Sequence, residues 1–172
     1  MTEDEDTAKK LAELGAKPVT ISGRAGYVYD PAGIVTDEKI SYLLEMRASG
    51  KEGVLENYAK KFNAEFHPGE KPWGVKADIY MPCATQNEVG MEEAKLIAAS
   101  GSKYYMEVAN MPTKNEAIAY LTEQGLTVAP SKAVNAGGVS VSGLEMSQNS
   151  MRLSWTFEEV DAKLKDIMEN IF

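Results

Sequence analysis

Cysteine is nearly absent from this chain: Cys83 is the only one in 172 residues. A lone thiol forms no internal disulfide, so a reducing, cytosolic setting is expected. Histidine is equally scarce. His67 stands alone in "FHPGEKP", and no His, Cys or carboxylate grouping has metal-ligand spacing. It reads as a surface loop residue, not a ligand or base. No apolar run approaches the roughly 20 residues that a membrane-spanning helix needs. Clustered basic residues are missing too. The net charge is −8 and the pI about 4.8. Lys9–Lys10 and Lys60–Lys61 sit among acids and read as solvated helix faces. Phosphate binding needs concentrated positive charge, so no nucleic-acid partner is expected. The opening "MTEDEDTAKK" is acidic, which is not the pattern of a signal or transit peptide.

What is present suits one domain over residues 1–172, with 44% hydrophobic residues to fill its core. "DEDTAKKLAELGAK" has helical spacing, acids in its first turn and Gly15 at its stop. "AKPVTISG" reads as a strand ending at Ser22–Gly23, and "RAGYVYDPAGI" as turn-rich. "TDEKISYLLEMRASG" reads as a helix capped by Thr36 and stopped by Gly50, and "KEGVLENYAKKF" as a short one. "KADIYMPCA" lacks polar alternation, the pattern of a buried parallel strand. Helices and strands then alternate through "GMEEAKLIAASG", "KYYMEVA", "TKNEAIAYLTEQG" and "LTVAP" to two closing helices. Thr113 with Glu116, and Thr156 with Glu159, have capping-box spacing. The alternation predicts an α/β fold with a mostly parallel sheet and helices on both faces.

Ligands of such sheets bind beyond the carboxyl ends of the strands. Four segments fall there: "SGRAG", "PCATQN", "ANMPT" and "PSKAVNAGG". All are small and polar, and three carry Asn or Gln. In the following helix Asn135, Val139, Ser142, Met146 and Asn149 recur at steps of four and three, on one face. Gly137 and Gly138 lie in its first turn. There a glycine lets a ligand approach free backbone N–H groups at the positive end of the dipole. Close packing of helix on sheet uses Gly and Ser equally well, so composition leaves both roles open.

"PCATQN", "EVANMPT" and "PSKAVNAGGVSVSGLEMSQNSMRLSWTFEEVD", in this order and spacing, resemble the cofactor domain of bacterial hexameric glutamate dehydrogenases. "AKKLAELGAKPVTISG", "GYVYDPAGI", "YLLEMRASGK" and "PGEKPWG" extend the resemblance over about Ala8 to Phe172. The resemblance implies a Rossmann-like fold that binds NAD, in preference to NADP. It also implies oxidative deamination of L-glutamate to 2-oxoglutarate and ammonia. Carried over by position, Ala84, Thr85 and Gln86 would line the nicotinamide-ribose pocket. Asn110 would bond the nicotinamide ribose, and Asn135 the carboxamide or the substrate. Val139 would contact the substrate methylenes and Ser142 its side-chain carboxylate. Ser22 and Gly23 would meet the adenosine ribose, with Arg24 placed for a 2′-phosphate.

The family pattern is not complete in this chain. No Gly-x-Gly-x-x-Gly fingerprint precedes "AKKLAELG", and "MTEDED" stands in its place. The expectation is a domain trimmed at both ends, lacking the first strand and the glycine-rich loop, with weakened cofactor binding. No catalytic residue maps onto it: Lys132, Asp78 and Glu107 are scattered, so the isolated chain is expected to be inactive. The sheet would then close by direct pairing, split in two, or recruit another copy through exposed edges as a homo-oligomer. A structural fragment with little cofactor affinity is the alternative.

Overall fold

The computed structural model describes residues 4–50 and 52–171. Within the acidic run at residues 3–6, Glu3 and the other side chains lie outside the described residues. The chain divides into two compact units. The first comprises residues 1–78 and 92–102, and the second residues 79–91 and 103–172.

In the first unit α1 (Asp4–Glu13) leads to β1 (Thr20–Gly23) and β2 (Gly26–Tyr29). Only Arg24 and Ala25 separate the strands, and so short a loop permits only an antiparallel hairpin. The stretch expected to be mostly turn therefore contains a strand. α2 (Asp37–Ala48) and α3 (Val54–Phe62) follow, and β3 (Glu65–Pro68) then adds antiparallel to β2. The β2–β3 contact is close enough to dictate a residue. Gly26 has φ +139°, and a Cβ there would meet the His67 carbonyl oxygen at 2.1 Å. Thr36 caps α2 as expected, accepting from the Lys39 N–H at 3.3 Å. The core comprises Ala8, Ile21, Val28, Ile34, Leu43 and Tyr58 among others, flanked by Leu55, Phe62 and Phe66. A charged group lies within it. Asp30 Oδ2 accepts from Lys39 Nζ at 2.6 Å and from the Tyr58 hydroxyl at 2.7 Å. Lys39 also donates to the Gly33 carbonyl at 2.8 Å, so its charge is fully partnered. His67 is not a plain surface residue. It stacks on Tyr27, ring centroids 4.5 Å apart, with Glu65 and Glu70 beside it.

The second unit holds the expected parallel sheet, β4 (Ile79–Tyr80), β5 (Tyr104–Met106) and β6 (Thr127–Ala129), in that order. Of the expected ways to close the sheet, the split is the one seen: there are two three-stranded sheets, and β1 pairs with β2 and not with β4. β4 is far shorter than "KADIYMPCA" suggested. Tyr80 and Tyr105 are buried side by side in register, while Ile79 and Tyr104, one position earlier, are each 42% exposed. α5 (Asn115–Glu123) packs against β6. Thr113 does not cap it: its hydroxyl instead meets the Tyr105 hydroxyl at 2.7 Å, both residues buried. α6 (Ser131–Val134), α7 (Ala136–Met151) and α8 (Phe157–Glu169) complete the unit. The second capping box forms as expected, Thr156 and Glu159 exchanging bonds of 2.8 and 3.3 Å. α4 (Met91–Ala99) links the units in sequence, with Ala94 and Ile97 buried. Among the described residues no helix is long and apolar enough to cross a membrane.

Candidate functional site

Parallel pairing sends the chain off the same edge of the sheet after each strand. Ala84, Thr85 and Gln86 follow β4, Asn110 follows β5 and Asn135 follows β6. The order β4–β5–β6 puts the Asn110 segment in the middle. Backbone bonds continue past the strand ends and join these segments. Ala109 N–H donates to the Pro82 carbonyl at 2.9 Å, Asn87 N–H to Met111 at 3.0 Å, and Glu107 N–H to Ala129 at 3.1 Å. Val89 and Thr113 add a further parallel bridge. The rim is therefore held by main chain, and its amides are not needed to hold it. Thr85, Gln86, Asn87 and Asn110 are all exposed, and Asn135 is half-buried. Asn87 and Met111 have φ of 54° and 50°. For Met111, 56% exposed, that is an uncommon backbone.

Below the rim the Tyr105 phenol is held protonated beyond its ordinary range. Burial is the main cause, the nearby charges of Glu107 and Glu88 add to it, and the hydrogen bond with Thr113 opposes it. Glu107 is 3% exposed. It is a residue that the sequence places in an ordinary strand and that the structure puts at the rim. A carboxylate inside "YYMEVA", where every other residue is apolar or aromatic, is the signal that was available.

On α7 the predicted face turns outward: Val139 is 73% and Met146 68% exposed, and Ser142 and Asn149 are exposed with them. A Cβ on Gly137 or Gly138 would meet nothing within 4 Å. Close packing within the described residues therefore does not require glycine at either position. The Ser142 hydroxyl donates to the Gly138 carbonyl at 3.2 Å, within its own helix. A ligand acceptor would have to draw that proton away from the helix.

Ser22 and Gly23 belong to the first unit and border a cavity of 380 Å³. Arg24, Arg47, Leu55 and Phe66 also line it. The apolar floor from α3 and β3 could not be read from "TISGRAG" alone. Lys71 Nζ reaches the Gly23 carbonyl at 3.4 Å. Arg24, Arg47 and Lys71 thus bring cations to this strand tip, and Glu56 lines the cavity with them. Among the described residues no group of His, Cys, Asp or Glu is placed to hold a metal.

The model of the Glutamate/Leucine/Phenylalanine/Valine dehydrogenase family matches residues 5–172. An NAD-specific glutamate dehydrogenase of Clostridium symbiosum is 67% identical over 165 residues, covering 95% of this chain and 36% of that protein. An NADP-specific one of Haemophilus influenzae is 47% identical, covering 95% and 36%. A solved glutamate dehydrogenase superposes with a TM-score of 0.90 at 65% identity, covering 97% of this chain and 37% of that one. The chain thus spans little more than a third of the relatives it matches. A match running from residue 5 to the last residue leaves no part of the fold outside it: the chain belongs to the Glutamate/Leucine/Phenylalanine/Valine dehydrogenase family.

Proposed function

We propose that this chain is the cofactor-binding part of a glutamate dehydrogenase. In that role it binds NAD and one end of L-glutamate for oxidative deamination to 2-oxoglutarate and ammonia. The observation that carries this is the rim of the parallel sheet, where main-chain bonds fix three successive segments and leave their amides outward. Bound there, a nicotinamide would supply the hydride acceptor for the substrate α-carbon. The residues of this chain bind and orient. Ala84, Thr85 and Gln86 border the nicotinamide ribose, Asn110 bonds it, and Asn135 holds the carboxamide. Val139 packs on the substrate methylenes and the Ser142 hydroxyl donates a hydrogen bond to the side-chain carboxylate. Ser22 and Gly23 take the adenosine ribose. None of these side chains titrates near neutrality, so none performs the acid–base steps. This polypeptide alone is therefore proposed not to turn over glutamate.

Millimolar NADH, titrated while backbone amides are followed by NMR, tests the binding. Perturbation should centre on residues 84–87, 109–113 and 135–142, and Asn110→Ala should weaken it about tenfold, the worth of a good hydrogen bond. Shifts spread evenly over both units would end the proposal. Arg24 at the cavity favours a second reading, acceptance of NADP through its 2′-phosphate. Arg24→Ala then lowers affinity for NADPH and leaves NADH unchanged.

A further inference from the structure

We infer that Glu107 is a positioning residue for Asn135. The physical link is independent of the proposed function, and only its consequence for binding rests on it. Glu107 Oε2 accepts the Ser131 N–H at 3.1 Å. Ser131 is the first residue of α6, and its N-cap, Pro130, has no side-chain acceptor. A carboxylate from 24 positions away therefore caps that helix, with a charge of the sign its dipole favours. The carbonyl of the same Ser131 accepts the Asn135 N–H at 3.0 Å. Two hydrogen bonds in series thus run from Glu107 through one residue to Asn135. Asn135 ends α6 and begins α7, and its side chain makes no capping bond to either. Its N–H is shared between the Ser131 and Ala133 carbonyls, so the turn that Glu107 grips at Ser131 is the turn that sets the Asn135 backbone.

Packing does not account for a carboxylate here. Oε1 is buried and meets no protein donor among the described residues. An apolar side chain would fill the same space without an unsatisfied oxygen. What Glu107 supplies that an apolar residue would not is the grip on α6.

The test uses this chain with Glu107→Asp, which keeps the charge and withdraws it by one methylene, and Glu107→Gln, which keeps the reach and one acceptor oxygen. Hydrogen exchange of the Ser131 and Asn135 amides reads the grip. Titrations with NADH and with AMP, which lacks the nicotinamide end, read the consequence. In Glu107→Asp both amides should exchange about tenfold faster. NADH should bind about tenfold more weakly and AMP unchanged, the loss of one charge-assisted bond. Glu107→Gln should stay within about twofold of the parent throughout. Parent-like exchange in Glu107→Asp overturns the inference. So does a Glu107→Gln as impaired as Glu107→Asp, failure of either variant to fold, or equal weakening of NADH and AMP. If the parent binds neither nucleotide, the cofactor proposal fails, and the exchange arm alone decides for or against the grip.

Discussion

The two units solve the same problem, fixing a small three-stranded sheet, by different chemistry. The antiparallel unit is locked by charge: Asp30, Lys39 and Tyr58 meet inside its core. The parallel unit has a neutral lock, Tyr105 on Thr113, and a rim tied by backbone bonds. Its last two helices contribute little core: Ala136 is the only buried residue of α7, and α8 has none among the described residues. A buried ion pair is weak as a source of stability and severe when broken. Neutral locks and main-chain pairing lose less when one member goes, and they leave polar side chains available. The unit with the less expensive lock is the one whose rim amides are left exposed.

The largest effect expected from that contrast is Asp30→Ala. It strands the Lys39 charge, whose side chain is 13% exposed, and the Tyr58 hydroxyl. The cost should be about 3–5 kcal/mol, read from the urea midpoint by circular dichroism. Asp30→Asn, which keeps an acceptor, should fall between parent and alanine. A loss below about 1 kcal/mol for alanine would erase the contrast between the locks. Close in size is Gly26→Ala. The positive φ and the 2.1 Å approach to His67 demand a backbone shift of two paired strands, worth about 3 kcal/mol or more in the same assay.

Sequence patterns reached unevenly into the two units. The parallel unit was legible because βαβ spacing, buried strand runs and polar loops each carry a local signal: "TKNEAIAYLTEQG" and "LTVAP" became α5 and β6. "RAGYVYDPAGI" concealed β2 because Gly26 and the Asp30–Pro31 pair read as turn chemistry, and of its two pairing partners only β1 is close in sequence, while β3 lies far along the chain. A capping box was predicted at Thr113 from spacing alone. The buried Tyr105 phenol competes for that hydroxyl, and no local pattern announces a tertiary partner. Of the site, the amides at 86, 87, 110 and 135 stand out as residue types. The cavity floor of Leu55 and Phe66, and the cap that Glu107 provides, depend on long-range contacts and were invisible.

The neutral lock should break more gently than the charged one. Thr113→Ala leaves the buried Tyr105 hydroxyl without its partner, a loss of about 1–3 kcal/mol. Both phenols also give the fold a common alkaline limit. Burial raises Tyr58, helped by its bond to Asp30 and by that charge, and burial chiefly raises Tyr105. A raised folded-state value means that stability is whole below the unfolded phenol value of 10.0 and is lost as pH climbs above it. Urea midpoints should therefore be unaffected by these two groups at neutral pH and fall above about pH 10. In Tyr58→Phe that alkaline fall should be shallower. An equal fall with and without Tyr58 would remove it from the account.

The smallest effect carries the opposite sign. Gly137 and Gly138 sit in an α-helix with open space where a Cβ would go. Alanine at such a position relieves the entropy that glycine costs a helix, about 0.5–1 kcal/mol each. Gly137→Ala should therefore raise the urea midpoint, where Gly26→Ala collapses it. The two glycines are chemically identical and differ in what approaches them: the His67 carbonyl in one case, no protein atom in the other. A helix that keeps two destabilising residues with no steric need for them is accounted for if a ligand comes close to its backbone. The same Gly137→Ala should then weaken NADH while strengthening the fold. A variant that gained stability and lost no affinity would leave these glycines without a role at the rim, and would confine the cofactor contacts to the loops after β4 and β5.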